Sequence, residues 1–195
     1  MEAPEDSAPQ RVWLVCHPHP LYGGTMHNKV VYRIARGLRR SRAAVLRFNF
    51  RGVGRSEGEH AGGIGEIEDA LAAVQWLKAQ YADLPFALAG FSFGSRVILK
   101  LGCSIEGAAR LMAVGFPTSH NDTQYLETCG KAKVFIQSTH DQYGPRPELE
   151  SLFARMREPK RLFWIPAADH FFAGALDELE SAVLEAALER SERSS

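Results

Sequence analysis

The sequence predicts an α/β fold, a three-layer α/β/α sandwich around a mostly parallel sheet of about six strands. Three observations carry that prediction. Short apolar runs alternate with amphipathic segments along the whole chain. The runs are apolar on both faces, as expected of strands covered above and below by helices. One run leads through Gly90-Phe91-Ser92-Phe93-Gly94 into a helical segment, giving strand, sharp turn and helix with a serine at the bend.

The elements follow in order. Arg11–Cys16 is a buried strand. Pro18, Pro20, Gly23 and Gly24 exclude regular structure after it. Met26, Val30, Ile34 and Leu38 recur at helical spacing, with Thr25 as the expected cap. Residues 43–50 form the next strand, and 51–58 a long turn. The turn's glycines are spaced G-x-G-x-x-x-G, and Gly62, Gly63 and Gly65 intervene before the next helix. A dinucleotide site needs the helix directly after its glycines, so that reading is rejected. Ile64, Ile67, Leu71, Val74 and Leu77 mark that helix. Glu66, Glu68 and Asp69 read as its solvated, capped start. Residues 86–89 are the strand before the serine, and Val97-Ile98-Leu99-Lys100-Leu101 the helix after it. Residues 110–116 are a strand, and 117–130 a polar loop with one helical turn around Tyr125-Leu126. Strand Lys133–Ser138 precedes a helix through Leu149, Leu152, Phe153 and Met156. Strand 161–165 precedes a helix through Leu176, Leu179, Val183 and Leu188, with a frayed polar end.

The 195 residues fit a single domain, 11–190, behind a short disordered tail, 1–10. A net charge of zero offers nothing to nucleic acid or to a membrane surface. No apolar run is long enough to span a bilayer, and the acidic start is unlike a signal peptide. Cys16, Cys103 and Cys129 are an odd set without metal-ligand spacing. They read as reduced thiols of a cytoplasmic protein, with Cys16 and Cys103 in packing roles.

In such a sheet, chemistry collects at the loops beyond the strands' C-terminal ends. Ser92 is the candidate nucleophile there, and a hydroxyl needs a base. His170, after the last strand, is that base. Asp141, after the preceding strand, is its orienting acid, and Asp122 is the second choice. Asp169 adjoins His170 and would struggle to reach the same ring. An oxyanion needs backbone donors, one from Phe93 and one from the loop after the first strand. Pro18 and Pro20 have no N–H, which leaves His19, Leu21, Tyr22 or Gly23. His17 and His19 lack a third ligand, so no metal is expected, and no cofactor.

Four blocks together carry a family resemblance: 16–31, from Cys16-His17-Pro18-His19-Pro20 to Val30-Val31; 47–56, Arg47-Phe48-Asn49-Phe50-Arg51-Gly52-Val53-Gly54-Arg55-Ser56; Gly90-Phe91-Ser92-Phe93-Gly94; and Asp169-His170-Phe171-Phe172. With them the chain resembles the α/β-hydrolase superfamily, in particular small bacterial carboxylesterase-like and dienelactone-hydrolase-related proteins. The resemblance implies a minimal form of that fold and a triad of Ser92, Asp141 and His170. It ranks His19 first and Leu21 second as oxyanion donors, because His17-Pro18 stands where such enzymes commonly carry His-Gly. Dienelactone hydrolases proper use cysteine where this chain has Ser92, and the first of the family's usual eight strands have no counterpart. A cap would enter at 117–130, which is too short for one. The expected activity is therefore hydrolysis of small soluble carboxylic esters through an acyl-enzyme. A thioesterase, an amidase or peptidase, and a non-catalytic binding protein are the alternatives. The expected partner is the small-molecule ester alone, on a monomer or homodimer.

Overall fold

Six parallel strands form one sheet in the order β2-β1-β3-β4-β5-β6. They are β1 (Arg11–Cys16), β2 (Ala43–Arg47), β3 (Phe86–Phe91), β4 (Ala108–Val114), β5 (Lys133–Ser138) and β6 (Lys160–Ile165). The helices are α1 (Lys29–Arg40), α2 (Ile64–Gln80), α3 (Phe93–Ser104), α4 (Tyr125–Thr128), α5 (Arg146–Arg155) and α6 (Leu176–Leu188). This computed structural model describes residues 1–4, 7–119 and 122–189.

The period of two in a strand divides the core. Val12, Leu14 and Cys16 of β1 face a cluster built with α2, α3, α4 and α5. Trp13 and Val15 face the opposite cluster, built with α1 and α6. Both faces are dry, which is why the strands read as continuous apolar runs. Each fully buried Val, Leu, Ile or Phe stabilises the fold by about 1.5–3 kcal/mol. The chain leaves β1 toward β2, then returns across it to β3, so winding reverses between β1 and β3. A crevice opens beyond the strand ends at such a reversal. The loops after β1 and β3 therefore stand side by side, with Cys16 in register with Gly90.

Several expectations are corrected. Helix α1 starts at Lys29, capped by Asn28 rather than Thr25; Asn28 Oδ1 accepts from the N–H groups of Val30 and Val31. Strand β2 stops at Arg47, and Phe50 turns its N–H to His17 Nε2 at 3.0 Å. Asp69 is not simply solvated. It accepts from the Arg51 backbone at 2.9 Å and grips its guanidinium, fixing the turn after β2. Cys103 and Cys129 are joined in a disulfide between the end of α3 and the end of α4, so of the three cysteines only Cys16 is a free thiol. The N-terminal segment touches the sheet edge: Glu2 bridges Val45 in antiparallel fashion, and its carboxylate binds Arg47 at 2.6 Å. The expected frayed end, apart from Glu189, lies outside the described residues. Among the described residues no helix is long and apolar enough to cross a membrane.

Candidate active site

Ser92 stands between β3 and α3 with φ 54° and ψ −119°. A non-glycine residue in that region carries about 1–3 kcal/mol of strain, which the surroundings must hold in place. Two glycines make the turn possible. A Cβ on Gly90 would sit 2.3 Å from the Gly94 carbonyl oxygen, and one on Gly94 would sit 2.4 Å from that of Cys16. Ser92 N–H donates to Val114 O at 2.9 Å. Ser95 donates to Ser92 O through both its N–H and its hydroxyl. The turn is thus tied to β4 on one side and to the first turn of α3 on the other.

Asp141 and His170 meet across the ends of β5 and β6. His170 Nδ1 lies 2.7 Å from Asp141 Oδ2, and both residues are buried. Asp141 Oδ1 accepts from the N–H groups of Tyr143 and Gly144, and Oδ2 also accepts from Gln137 Nε2 at 2.9 Å. Among the described residues, each of these other hydrogen-bond partners of the carboxylate is a donor. The His170 proton belongs on Nδ1, which leaves Nε2 as the acceptor. The ring is clamped by Phe91, stacked at 4.9 Å, and by the edge of Tyr143 at 4.8 Å.

The loop after β1 supplies the neighbouring wall. His17 is fully buried; its Nε2 accepts the Phe50 N–H, so Nδ1 is the protonated nitrogen and donates to Pro18 O at 2.7 Å. Burial pushes its pKa below the usual histidine value, and the bond to Pro18 only partly opposes that. Both ring nitrogens are committed to the backbone, and His17 acts as a pin between the two loops. Leu21 is turned from the role of oxyanion donor. Its N–H goes to His19 Nδ1 at 3.2 Å in the turn Pro20–Tyr22. Tyr22 N–H is likewise taken, by His19 O. His19 stacks on Phe93 with ring centroids 4.9 Å apart. Phe93 is the first residue of α3, where helix geometry gives its N–H no intrahelical acceptor.

Ser92, Phe93, His19 and His170 all line one cleft of about 530 Å³. Its rim carries Tyr22, Tyr143 and Phe171, all exposed. Asp122, the second choice of acid, is elsewhere engaged: it binds Arg96 at 2.8 Å and also Lys100. Asp169 caps its own turn, accepting from Phe171 and Ala173 N–H.

A family model for an α/β hydrolase domain matches residues 15–191. The chain belongs to the α/β-hydrolase family. This hydrolase is 35% identical over 179 residues to an uncharacterized protein of Rickettsia prowazekii (strain Madrid E), a match covering 87% of this chain and 75% of the other. It is similar to an α/β serine hydrolase homologue from Coxiella burnetii, with a TM-score of 0.90 and 32% identity over 94% of this chain and 88% of that one. It is also similar to a Xanthomonas campestris structure described as an α/β serine hydrolase without lid, with a TM-score of 0.84 and 32% identity over 94% and 84% of the two chains.

Sequence reasoning missed three contributors to this hydrolase's site. Gln137 is a fully buried amide that binds Asp141 and both backbone groups of Phe116. Its signal was present: an amide directly after the apolar run Val134-Phe135-Ile136, four residues before Asp141. Tyr143 had no comparable signal, because its contact with His170 depends on the turn that Asp141 folds. Arg96, on α3, lines the cleft one helical turn beyond Ser92.

Proposed function

We propose that this hydrolase cleaves small soluble carboxylic esters through an acyl-enzyme intermediate. Ser92 Oγ attacks the ester carbonyl. His170 Nε2 takes the serine proton and returns it to the leaving alkoxide, which departs as the alcohol. Asp141 holds the ring in the required tautomer and offsets the imidazolium charge. Backbone N–H groups of Phe93 and His19 face the developing oxyanion. Water, activated by the same ring, then releases the acid and restores Ser92. The observation that carries this reading is the 2.7 Å bond from Asp141 Oδ2 to His170 Nδ1, on a ring that shares a cleft with the strained Ser92.

The exposed aromatic rim favours short substrates that enter directly from solvent over long acyl chains that need a cover. A fluorophosphonate probe tests the nucleophile. It should label the wild type and leave Ser92→Ala unlabelled; equal labelling of both would remove Ser92 from the mechanism. A panel of short p-nitrophenyl esters, acyl thioesters and aminoacyl amides then ranks the bond cleaved, with esters expected first.

A further inference from the structure

Resting on the ester-hydrolase reading, we infer that the cleft selects substrates bearing a carboxylate close to the scissile ester, and that Arg96 is the residue that reads it. Arg96 lines the same cleft as Ser92 and His170. Among the described residues of that lining it is the one side chain with a fixed charge; its carboxylate partner, Asp122, is not among the residues that line the cleft. The remainder of the wall is aromatic, proline, glycine, serine, asparagine and histidine.

Position and donor count both favour a ligand contact. Arg96 lies four residues after Ser92 on the same side of the chain's helix α3, about 6 Å along its axis. Helical side chains lean toward the N-terminus, so this one leans back toward Ser92. Its side chain is 19% exposed, which leaves the head group partly sheltered but reachable. Of its five N–H donors, one goes to Asp122, and the others have no partner among the described residues. Asp122 does not cancel the charge, because it is shared with Lys100. Two cations on one carboxylate leave a net positive charge, and of the three groups Arg96 is the one that lines the cleft. The planar guanidinium fork suits a carboxylate, which it can take with two parallel N–H bonds. The substrate class that fits is a monoester of a short dicarboxylic acid, its free carboxylate a few carbons from the ester carbonyl.

The test compares mono-p-nitrophenyl glutarate with neutral p-nitrophenyl pentanoate, read as the ratio of their kcat/KM values. In the wild type the anionic ester should be favoured about tenfold or more, and in Arg96→Gln the ratio should fall to about one. Arg96→Lys should keep part of the preference, since it keeps charge without the fork. A wild-type ratio near one, or a preference that survives in Arg96→Gln, overturns the inference while leaving the esterase in place. Should neither ester be cleaved, the esterase reading fails and binding still decides the subsite. Glutarate titrated into Ser92→Ala, followed by calorimetry, should bind, and should not bind Ser92→Ala/Arg96→Gln. No binding to Ser92→Ala, or equal binding to both proteins, overturns the subsite.

Discussion

Gln137 Nε2 donates to Asp141 Oδ2 at 2.9 Å, on the same oxygen that meets His170 Nδ1 at 2.7 Å. The amide also spans Phe116: its Oε1 accepts the Phe116 N–H at 2.8 Å, and its Nε2 faces the Phe116 carbonyl. One buried side chain therefore couples the end of β4 to the carboxylate that orients the ring.

Gln137→Met fills the same space and removes all of these bonds. It should lower kcat by about tenfold with little change in KM, because the ring loses orientation and the cleft does not change. The stranded Phe116 N–H should destabilise the fold by about 1–3 kcal/mol. Steady-state kinetics with a short p-nitrophenyl ester, together with a urea melt, separate the two effects. An unchanged kcat would remove Gln137 from the positioning of Asp141.

Gly94 is the second test. Alanine there would place its Cβ 2.4 Å from the Cys16 carbonyl oxygen and 2.5 Å from that of His17. Backbone cannot yield as a flexible side chain does. Gly94→Ala should cost more than about 3 kcal/mol, or fail to accumulate as soluble protein. Denaturant unfolding of purified variant against wild type measures it.

His17 predicts an acid limit. Its folded pKa is lowered, first by burial, while the unfolded histidine titrates near pH 6.5, roughly. Below that pH the unfolded chain binds the proton more readily than the folded one, so stability falls as pH drops. The contribution is fully present above the unfolded value. Thermal midpoints between about pH 5 and pH 8 should decline toward acid, with a shallower slope in His17→Gln, although that variant is less stable at every pH. Identical slopes would exclude His17 as the group responsible.

Thiol counting checks the cysteine pairing. Unfolded, unreduced protein should react at Cys16 alone, and all three cysteines should react after reduction. In the native state Cys16 should be inert, since burial, aided by the Asp69 charge, drives its thiol pKa strongly upward.

The strands, the serine turn, Asp141 and His170 were legible because their signals are local or follow chain order. Apolar periodicity marks a covered strand, and loop position after β5 and β6 brings the acid and the ring to one sheet edge. Features decided by tertiary geometry were not legible. Cys103 and Cys129 lie in different helices' ends, and nothing in their spacing announces that α3 and α4 converge. Leu21 stayed open as a donor, second to His19, until the turn Pro20–Tyr22 committed the Leu21 N–H to the His19 ring. Asp122 looked available for His170 until α3 presented Arg96 and Lys100 to it. Phe48 and Phe50 look like strand residues, yet the buried acceptor on His17 draws the Phe50 backbone out of the sheet.

The twisted backbone at Ser92 implies a conflict between durability and chemistry. A glycine would adopt φ 54° and ψ −119° without the roughly 1–3 kcal/mol that serine bears there, against about 1 kcal/mol of extra chain entropy in the unfolded state. Ser92→Gly should thus melt at a temperature equal to or above the wild type while losing ester hydrolysis. Selection for heat resistance alone would then erode this position first, and only a requirement for turnover would keep the hydroxyl in place.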